Sequence, residues 1–394
     1  MEGPRNVDVI SLGCRLNLAE SERIRAMLAG EQDVVVVNSC AVTGEAVRQT
    51  RQTIRRARRD RPHARLLVTG CAAEIEREQL SAMPEIDGLV ANTQKLDPRA
   101  WNVPPSAPPA VSNHTRAFIA VQNGCDHSCT FCVIPQGRGP GRSLTIAQVL
   151  EEVSRHLDRG APEIVLTGVD VTSWGNDLPG KPPLGTLVSA ILDQFPDLLR
   201  LRMSSLDGIE IDPLMFELFA SETRLMPHLH LSLQHGHDLI LKRMKRRHSR
   251  KDAIDLVAAL RKSRPDLAVG ADLIAGFPTE DADMHTANLE IIGELGIVHG
   301  HIFPYSPRPN TPAARMPQVA KPLIKQRAAQ LRAEVTRVRN KWLNTRIGVP
   351  LQVLAERDGT GYSPDFVRVA VPEGTAAGTI TTITPTLLTK GLLQ

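Results

Sequence analysis

The feature that most constrains this chain is the spacing of its cysteines. The six cysteines form two groups of three, one compact and one widely spaced. The first residues lack the apolar stretch of a signal peptide, so we expect a cytoplasmic protein, whose reducing surroundings disfavour disulfides. The spacing of the cysteines therefore indicates metal binding or redox chemistry first.

The compact group follows the pattern Cys125-x3-Cys129-x2-Cys132. These thiolates are close enough in sequence to bind three corners of one iron–sulfur cube, which leaves the fourth iron open to a small molecule. A structural zinc site would instead need a fourth protein ligand, and His127 lies inside the loop, so zinc stays an alternative. We expect His127 itself to be a solvent-facing spacer.

The widely spaced group is Cys14, Cys40 and Cys71, and each of these follows a short β-like run. Helix-like stretches separate the runs over residues 6–95, which predicts a small, mostly parallel α/β sheet. The carboxyl ends of parallel strands share one edge, so the three thiols should meet there. We predict a second three-cysteine cluster. The alternative is three unrelated buried cysteines, a common state for this residue.

The rest of the chain predicts further domains, as expected for 394 residues. Prolines crowd residues 98–114, which predicts a stiff linker. Six β-like runs then alternate with helices, which predicts an α/β partial barrel of six β-α units followed by a basic helix. Short β-like runs at 345–394 predict a small antiparallel β domain. No apolar run approaches the length of a membrane span, so we expect no membrane partner.

The segment Gln122–Cys132, read as QNGCDHSCTFC, resembles the radical S-adenosylmethionine (SAM) enzymes. In that superfamily three cysteines hold a 4Fe-4S cluster whose free iron chelates SAM, and electron transfer cleaves SAM to a 5′-deoxyadenosyl radical. Two cysteine triads in this order resemble the methylthiotransferase family in particular. The resemblance implies two 4Fe-4S clusters and SAM as cofactors. It also implies a cluster domain at 1–97, the linker at 98–114, a radical SAM barrel at 115–344 and a short TRAM-like β domain at 345–394.

Family resemblance also implies the reaction. One SAM methylates sulfur associated with the second cluster, and another supplies the radical that activates a C–H bond, so that carbon gains a methylthio group. The segments Asn38–Thr43 and His301–Ala313 are similar to the branch acting on C2 of N6-threonylcarbamoyladenosine at tRNA position 37. Isopentenyladenosine-37 and a ribosomal-protein aspartate are the alternative substrates. The implied partners are the tRNA anticodon loop, a reduced flavodoxin- or ferredoxin-type electron donor and an unknown sulfur donor.

Residues at the ends of predicted barrel strands resemble the family segments that line the SAM pocket. Arg138, which follows the cluster loop, either neutralises a carboxylate or phosphate there or pairs with nearby acids. His235 and His237 are either pocket groups or ordinary hydrogen-bonded histidines. The strand-end candidates are Gly168, Asp170, Ser204, Gln234, Asp272 and Gly276.

Basic residues are unevenly placed, although the formal net charge is only +4. Phosphate contacts from basic helix faces would give salt-sensitive RNA affinity, but each cluster alone equally fits a solvated face. Aromatic residues make up 3% of the chain, which argues against a broad base-stacking platform. The alternative of another class is a non-catalytic, zinc-holding RNA-binding protein. The three basic clusters are Arg48–Arg61, Lys242–Lys251 and Lys325–Lys341.

Overall fold

The computed structural model describes residues 7–104 and 115–394. Its chain divides into two compact units. Within the described ranges, the first unit contains residues 7–104, 123–142 and 306–314, and the second contains 115–122, 143–305 and 315–394. All six cysteines belong to the first unit.

The first unit is built on a four-stranded parallel sheet in the order β1-β2-β3-β4. The predicted parallel α/β sheet is therefore confirmed. Its strands are β1 (Asp8–Ser11), β2 (Val34–Ser39), β3 (Arg65–Gly70) and β4 (Gly88–Leu89). Its helices are α1 (Arg15–Met27), α2 (Gly44–Asp60), α3 (Cys71–Ile75), α4 (Arg77–Ser81) and α5 (Ile134–Arg138).

Local sequence explains these elements. Every residue of β2 is buried, as expected for a run of valines in a central strand of a parallel sheet. Helix α2 buries Val47, Ile54 and Ala57 on one face, and the Thr43 side chain caps it by accepting a hydrogen bond from the Ala46 N–H at 3.1 Å.

Some boundaries differ from the sequence prediction. The sequence predicts a helix over Ala19–Leu28, but α1 begins four residues earlier, at Arg15, with Cys14 at its N-cap. The start of the predicted linker is folded as a 3-10 helix, Pro98–Trp101. Trp101 holds this helix against the first unit, since its side chain is buried and its indole N–H donates to the Lys95 carbonyl at 2.8 Å. Linker residues 105–114 lie outside the described residues.

The second unit contains two parallel sheets, in the orders β5-β8-β9 and β10-β11-β12-β13. Six of these seven strands correspond to the six predicted ones, and the additional strand is the short β10, so the α/β prediction is confirmed. The strands of the two sheets are β5 (Arg116–Ala120), β8 (Glu163–Thr167), β9 (Arg200–Met203), β10 (Ser205–Leu206), β11 (His228–Gln234), β12 (Ala268–Ala275) and β13 (Ile297–Pro304). Two further strands of two residues each are β6 (Gln122–Asn123) and β7 (Arg142–Ser143).

Helices connect these strands and bury one face of each sheet. The core joins strand residues such as Leu229, Leu273 and Ile297 to helix residues such as Leu260 and Leu331. None of the helices in the described ranges is both long and apolar enough to cross a bilayer. The helices are α6 (Ile146–Leu157), α7 (Leu184–Gln194), α8 (Pro213–Ser221), α9 (Asp238–Arg243), α10 (Arg250–Ser263), α11 (Ala282–Leu295) and α12 (Lys321–Asn344).

The chain ends in a six-stranded sheet of the second unit, ordered β17-β14-β15-β16-β19-β18. It is antiparallel except for the pairing of β16 with β19, as predicted in outline. Its core includes Leu343, Val353 and Leu393. Its strands are β14 (Leu351–Ala355), β15 (Thr360–Tyr362), β16 (Arg368–Ala370), β17 (Ile380–Ile383), β18 (Leu388–Thr389) and β19 (Leu392–Leu393).

Candidate cluster and cofactor sites

The compact cysteine group lies on a closed loop between β6 and α5. The backbone N–H of Cys125 donates a hydrogen bond to the Gly139 carbonyl at 3.1 Å, which fixes the position of Cys125. Gly124 precedes it at φ +77°, where a Cβ would lie 1.9 Å from the Pro140 carbonyl oxygen, so only glycine fits. The cysteines Cys125, Cys129 and Cys132 are all half-buried, with no disulfide.

Backbone N–H groups of the loop point at its sulfur atoms. His127 N–H lies 3.4 Å from Cys125 Sγ, and Ile134 N–H lies 3.4 Å from Cys132 Sγ. Such donors stabilise thiolates and tune an iron–sulfur cluster. One ring nitrogen of His127 lies within 4.8 Å of Cys125 Sγ, so the loop geometry alone leaves the zinc alternative open.

The widely spaced cysteines meet at one edge of the first unit's sheet. Cys40 directly follows β2, Cys71 directly follows β3, and Cys14 follows β1 by three positions. Burial, with a smaller contribution from the nearby thiols of Cys71 and Cys14, raises the pKa of Cys40 to about 11. Cys40 and Cys71 are buried, whereas Cys14 is exposed at the N-terminus of α1.

A buried ionic group lies beside this second triad. Glu20 accepts hydrogen bonds from Lys95 Nζ at 2.6 Å and from Arg138 Nη1 at 2.9 Å, and each of the three side chains is at most 3% exposed. Burial opposes the charge on Arg138, yet Glu20 and then the Cys71 thiol raise its pKa above the ordinary value. Burial lowers the pKa of the Lys95 amine, although Glu20 opposes this shift. Two basic side chains thus share one carboxylate, an arrangement that suits an anionic neighbour.

Sequence reasoning missed most of this ionic group. It singled out Arg138 and kept pairing with acids as one alternative, and that pairing is what the structure contains. Glu20 and Lys95 were not found, because neither belongs to a motif. The available signal was in α1, where Asn17, Glu20 and Ser21 occupy positions that a helix normally gives to apolar residues facing a core.

The candidate SAM-pocket residues of the second unit lie mainly where strands end. Gln122 Oε1 accepts N–H hydrogen bonds from Val169 at 3.2 Å and Asp170 at 2.8 Å, which fixes the turn that contains Gly168. Ser204 Oγ is buried and has no hydrogen-bond partner among the described residues. A buried hydroxyl of this kind suits a polar ligand.

Gln234 and Gly276 have left-handed backbone conformations at strand ends, whereas Asp272 lies inside a strand. Gln234 ends β11 at φ +70°, after a register irregularity. Gly276 follows β12 at φ +70°, and a Cβ there would lie 2.6 Å from Ile324 Cγ1. Asp272 is different, since it lies within β12 rather than at its end and its Oδ1 contacts two histidines.

Two histidines considered as pocket groups have ordinary hydrogen bonds. His235 is fully buried with its Nε2 3.3 Å from Glu280, and burial lowers the pKa of its imidazole. His237 caps α9 by accepting a hydrogen bond from the Leu239 N–H at 3.2 Å.

Most of the predicted basic faces are neutralised by acidic partners. Five of the arginines on and just after α2 have carboxylate partners: Arg48, Arg51, Arg55, Arg58 and Arg61. Arg56 and Arg59 are exposed, and neither has an ion pair with a described residue. In the second cluster Arg246, Arg247, Arg250 and Lys251 have ion pairs, whereas in the third cluster only Arg327 and Arg337 pair with carboxylates of the described residues.

The end of the segment His301–Ala313, which resembles a substrate-specific family segment, packs within the first unit. Ser306 Oγ accepts a hydrogen bond from the Gly44 N–H at 3.0 Å, and Arg308 Nη2 donates to Glu76 Oε1 at 3.0 Å. Ala313 N–H donates to the Thr130 carbonyl in the cluster loop at 2.9 Å. Part of this motif therefore holds the loop and α2 in place.

Comparison with known proteins gives family matches for the region with the widely spaced cysteines and for the region with the compact cysteine group. Residues 119–289 match the family described as Radical SAM superfamily, and residues 6–91 match the one described as Uncharacterized protein family UPF0004. Threonylcarbamoyladenosine tRNA methylthiotransferase MtaB of Rickettsia prowazekii (strain Madrid E) is 41% identical over 95% of this chain and 93% of that protein. The tRNA-2-methylthio-N(6)-dimethylallyladenosine synthase of Erythrobacter litoralis (strain HTCC2594) is 32% identical over 90% and 87%, respectively.

Among solved structures, the radical S-adenosylmethionine methyltransferase TsrM from Kitasatospora setae, with cobalamin and a 4Fe-4S cluster bound, has a similar fold. The match has a TM-score of 0.55 and 16% identity, and it covers 75% of this chain and 68% of that chain. At this identity the likeness concerns the fold alone.

Proposed function

Because this chain belongs to the methylthiotransferase family of radical SAM enzymes, we propose that it adds a methylthio group to C2 of N6-threonylcarbamoyladenosine at position 37 of tRNA. The observation that carries this proposal is the 41% identity, over 95% of the chain, to the Rickettsia relative named for threonylcarbamoyladenosine. The 32% identity to a relative named for dimethylallyladenosine makes isopentenyladenosine the second candidate base.

As a radical SAM enzyme, the chain uses a 4Fe-4S cluster and SAM. When bound, they supply the radical chemistry that attacks an unreactive C–H bond. We assign Cys125, Cys129 and Cys132 as the cluster ligands, since three soft thiolates on one closed loop fit three irons. The N–H groups of His127 and Ile134, each 3.4 Å from a ligand sulfur, would hold and tune these thiolates.

We assign Cys14, Cys40 and Cys71 to a second 4Fe-4S cluster, which handles the transferred sulfur. Two observations support this assignment. The three thiols are close enough that Cys71 and Cys14 raise the pKa of Cys40. The buried cations Lys95 and Arg138 outnumber Glu20 beside them, and an anionic thiolate cluster would balance that charge.

SAM would contact strand ends of the second unit. Ser204 supports this role best, because its buried hydroxyl has no partner among the described residues. Gly168, Asp170, Gln234 and Gly276 would form the surrounding backbone turns, as the resemblance implies. Arg138 would then act on the second cluster's charge rather than as a SAM contact, because its guanidinium is bonded to Glu20.

The proposed partners follow from this reaction. The tRNA anticodon loop would contact the exposed face of α2, where Arg56 and Arg59 remain available for phosphates. A reduced flavodoxin- or ferredoxin-type protein would supply the electrons, and the cytoplasm would be the compartment. The family resemblance supports these assignments.

The direct test is product analysis with the anaerobically reconstituted protein. It is incubated with SAM, a reductant, a sulfide source and tRNA that carries N6-threonylcarbamoyladenosine, and the nucleosides are analysed by mass spectrometry. We expect the 2-methylthio derivative of that base. Conversion of only isopentenyladenosine tRNA, or of a ribosomal protein, would overturn the substrate assignment.

A second measurement separates the enzyme from a zinc-holding RNA-binding protein. Reconstituted protein should be brown, and its Mössbauer spectrum should account for two 4Fe-4S clusters per chain. Replacing Cys14, Cys40 and Cys71 with alanine should remove one cluster and leave SAM cleavage intact. A colourless zinc protein without SAM cleavage would contradict the proposal.

A further inference from the structure

Three ligand-type side chains converge on neighbouring strands of the second unit. His230 lies on β11, Asp272 on β12 and His301 on β13. Strands β12 and β13 are paired so that Asp272 is directly opposite His301. The sheet therefore fixes the relative positions of the three side chains.

These side chains occupy the face of the sheet opposite to the one on which Gly300 packs against Val335 of α12. A Cβ on Gly300 would meet Val335 of α12, so the neighbouring residue His301 points away from that helix. On the same face as His301, Gly270 makes room for the His230 ring, because a Cβ there would lie 2.3 Å from His230 Nδ1. His230 is thereby held with its Nε2 toward Asp272.

The distances match those expected for ligands of one metal ion. Asp272 Oδ1 lies 3.1 Å from His230 Nε2 and 3.0 Å from His301 Nδ1. Metal–ligand bonds of roughly 2.1 Å place adjacent ligand atoms about 3.0 Å apart at right angles and about 3.4 Å apart at tetrahedral angles, so modest side-chain movement would complete either geometry. All three ligand atoms lie within 4.8 Å of one another.

We propose that His230, Asp272 and His301 form a binding site for one divalent transition-metal ion, separate from the cysteine clusters. Two imidazoles and one carboxylate suit Zn²⁺ or Fe²⁺ and leave coordination positions open. Burial is graded across the site, with side-chain exposures of 6% for His230, 20% for Asp272 and 62% for His301. The ion enters from the His301 side, and open positions there accept water or an oxygen of a bound ligand. Asp272 then serves the metal in place of the SAM contact expected from sequence.

The test is a Zn²⁺ titration of the cluster-loaded protein by calorimetry under anaerobic conditions, with the visible absorbance of the clusters followed throughout. We expect one Zn²⁺ per chain, bound without loss of cluster absorbance. X-ray absorption at the zinc edge should show nitrogen and oxygen ligands without sulfur. No binding by the wild-type protein, or a sulfur-ligated zinc, would overturn the proposal.

Variants make the assignment specific. His301→Ala removes an exposed ligand, so its fold should be retained, and Asp272→Asn removes the central one. Each should weaken zinc binding by at least about tenfold. His63→Ala is the matched control, since His63 is exposed in the first unit, and it should bind zinc as the wild type does. Unchanged zinc affinity in both ligand variants would overturn the proposal.

Discussion

Gly13 lies directly against Cys40. A Cβ on residue 13 would lie 2.7 Å from Cys40 Cβ and 2.8 Å from its Sγ. The residue also has φ +94°, a conformation that side chains other than glycine's rarely adopt. The chain can therefore bring Cys14 beside Cys40 only because residue 13 has no side chain.

Gly13→Ala should disrupt the second cluster specifically. The added methyl group pushes Cys40 away and strains the turn before Cys14, so two of the three proposed ligands move. We expect reconstituted protein to lose about half of its iron and sulfide, since one of two equal clusters is lost. SAM cleavage without substrate should persist, because the Cys125 loop is unchanged.

Gly30→Ala is the matched control for this prediction. A Cβ on Gly30 meets no atom within 4 Å, and its φ is not in the left-handed region. This variant should bind the full complement of iron. Full iron in Gly13→Ala as well would show that Cys40 does not hold a cluster in the position assigned to it.

Glu20→Gln should destabilise the cluster-free protein strongly. The substitution leaves the buried cations Lys95 and Arg138 without a carboxylate, and removing one partner of a buried ion pair costs about 3 kcal/mol or more. The free energy of unfolding from urea titrations measures this loss. Adding Lys95→Met should recover part of it, because only one cation then remains.

Glu45→Gln serves as the control, because Glu45 is exposed and pairs only at the surface with Arg48. We expect no measurable change in the free energy of unfolding, because solvent screens an exposed ion pair. Equal losses in Glu20→Gln and Glu45→Gln would mean that the buried ionic group does not stabilise the first unit.

Acid should weaken the second unit through Glu280. Burial alone raises the pKa of this carboxyl, but hydrogen bonds from His235 and His285 and the charge of Arg327 outweigh burial and lower it to about 2. The unfolded chain, with its ordinary pKa near 4.5, takes up a proton first as the pH falls. The stabilisation is thus complete above about pH 4.5 and is lost toward pH 2.

Glu280→Gln removes this source of pH dependence. Melting temperatures of cluster-free protein between pH 7 and pH 3 should fall less steeply in the variant, although the variant is less stable at pH 7 by about 2 kcal/mol. The cluster-free form is used so that acid release of iron does not contribute. Parallel curves for the two proteins would contradict the role of Glu280.

The sequence predicted those parts of the fold that depend on local pattern. The valine run Val34–Val37 indicated a buried strand because β-branched residues on both faces suit a parallel sheet. Once the strands were parallel, the meeting of Cys14, Cys40 and Cys71 followed from topology alone. The two-residue strands β18 and β19 were missed because they are too short to show any period.

What the sequence did not reveal depends on tertiary pairing. Nothing in the neighbourhood of Lys95 distinguishes it from a surface lysine, yet it is buried against Glu20. His301 was noticed only as part of a family motif, while its contact with Asp272 comes from strand register. The number of arginines on α2 likewise predicted more unpaired positive charge than the structure contains, because carboxylates, mostly from other segments, neutralise most of these arginines.

The arginines of α2 should differ in their contribution to tRNA binding. Arg56 and Arg59 are exposed without an acidic partner in the described part of the chain, whereas Arg48 and Arg55 pair with Glu45 and Glu85. Arg56→Ala/Arg59→Ala should weaken tRNA affinity and reduce the slope of log affinity against log salt by about 2. The matched double variant Arg48→Ala/Arg55→Ala should change that slope by less, because its arginines are already partly neutralised. Filter binding across a salt series measures both slopes, and equal slopes in the two double variants would show that pairing with acids does not select the RNA-contacting arginines.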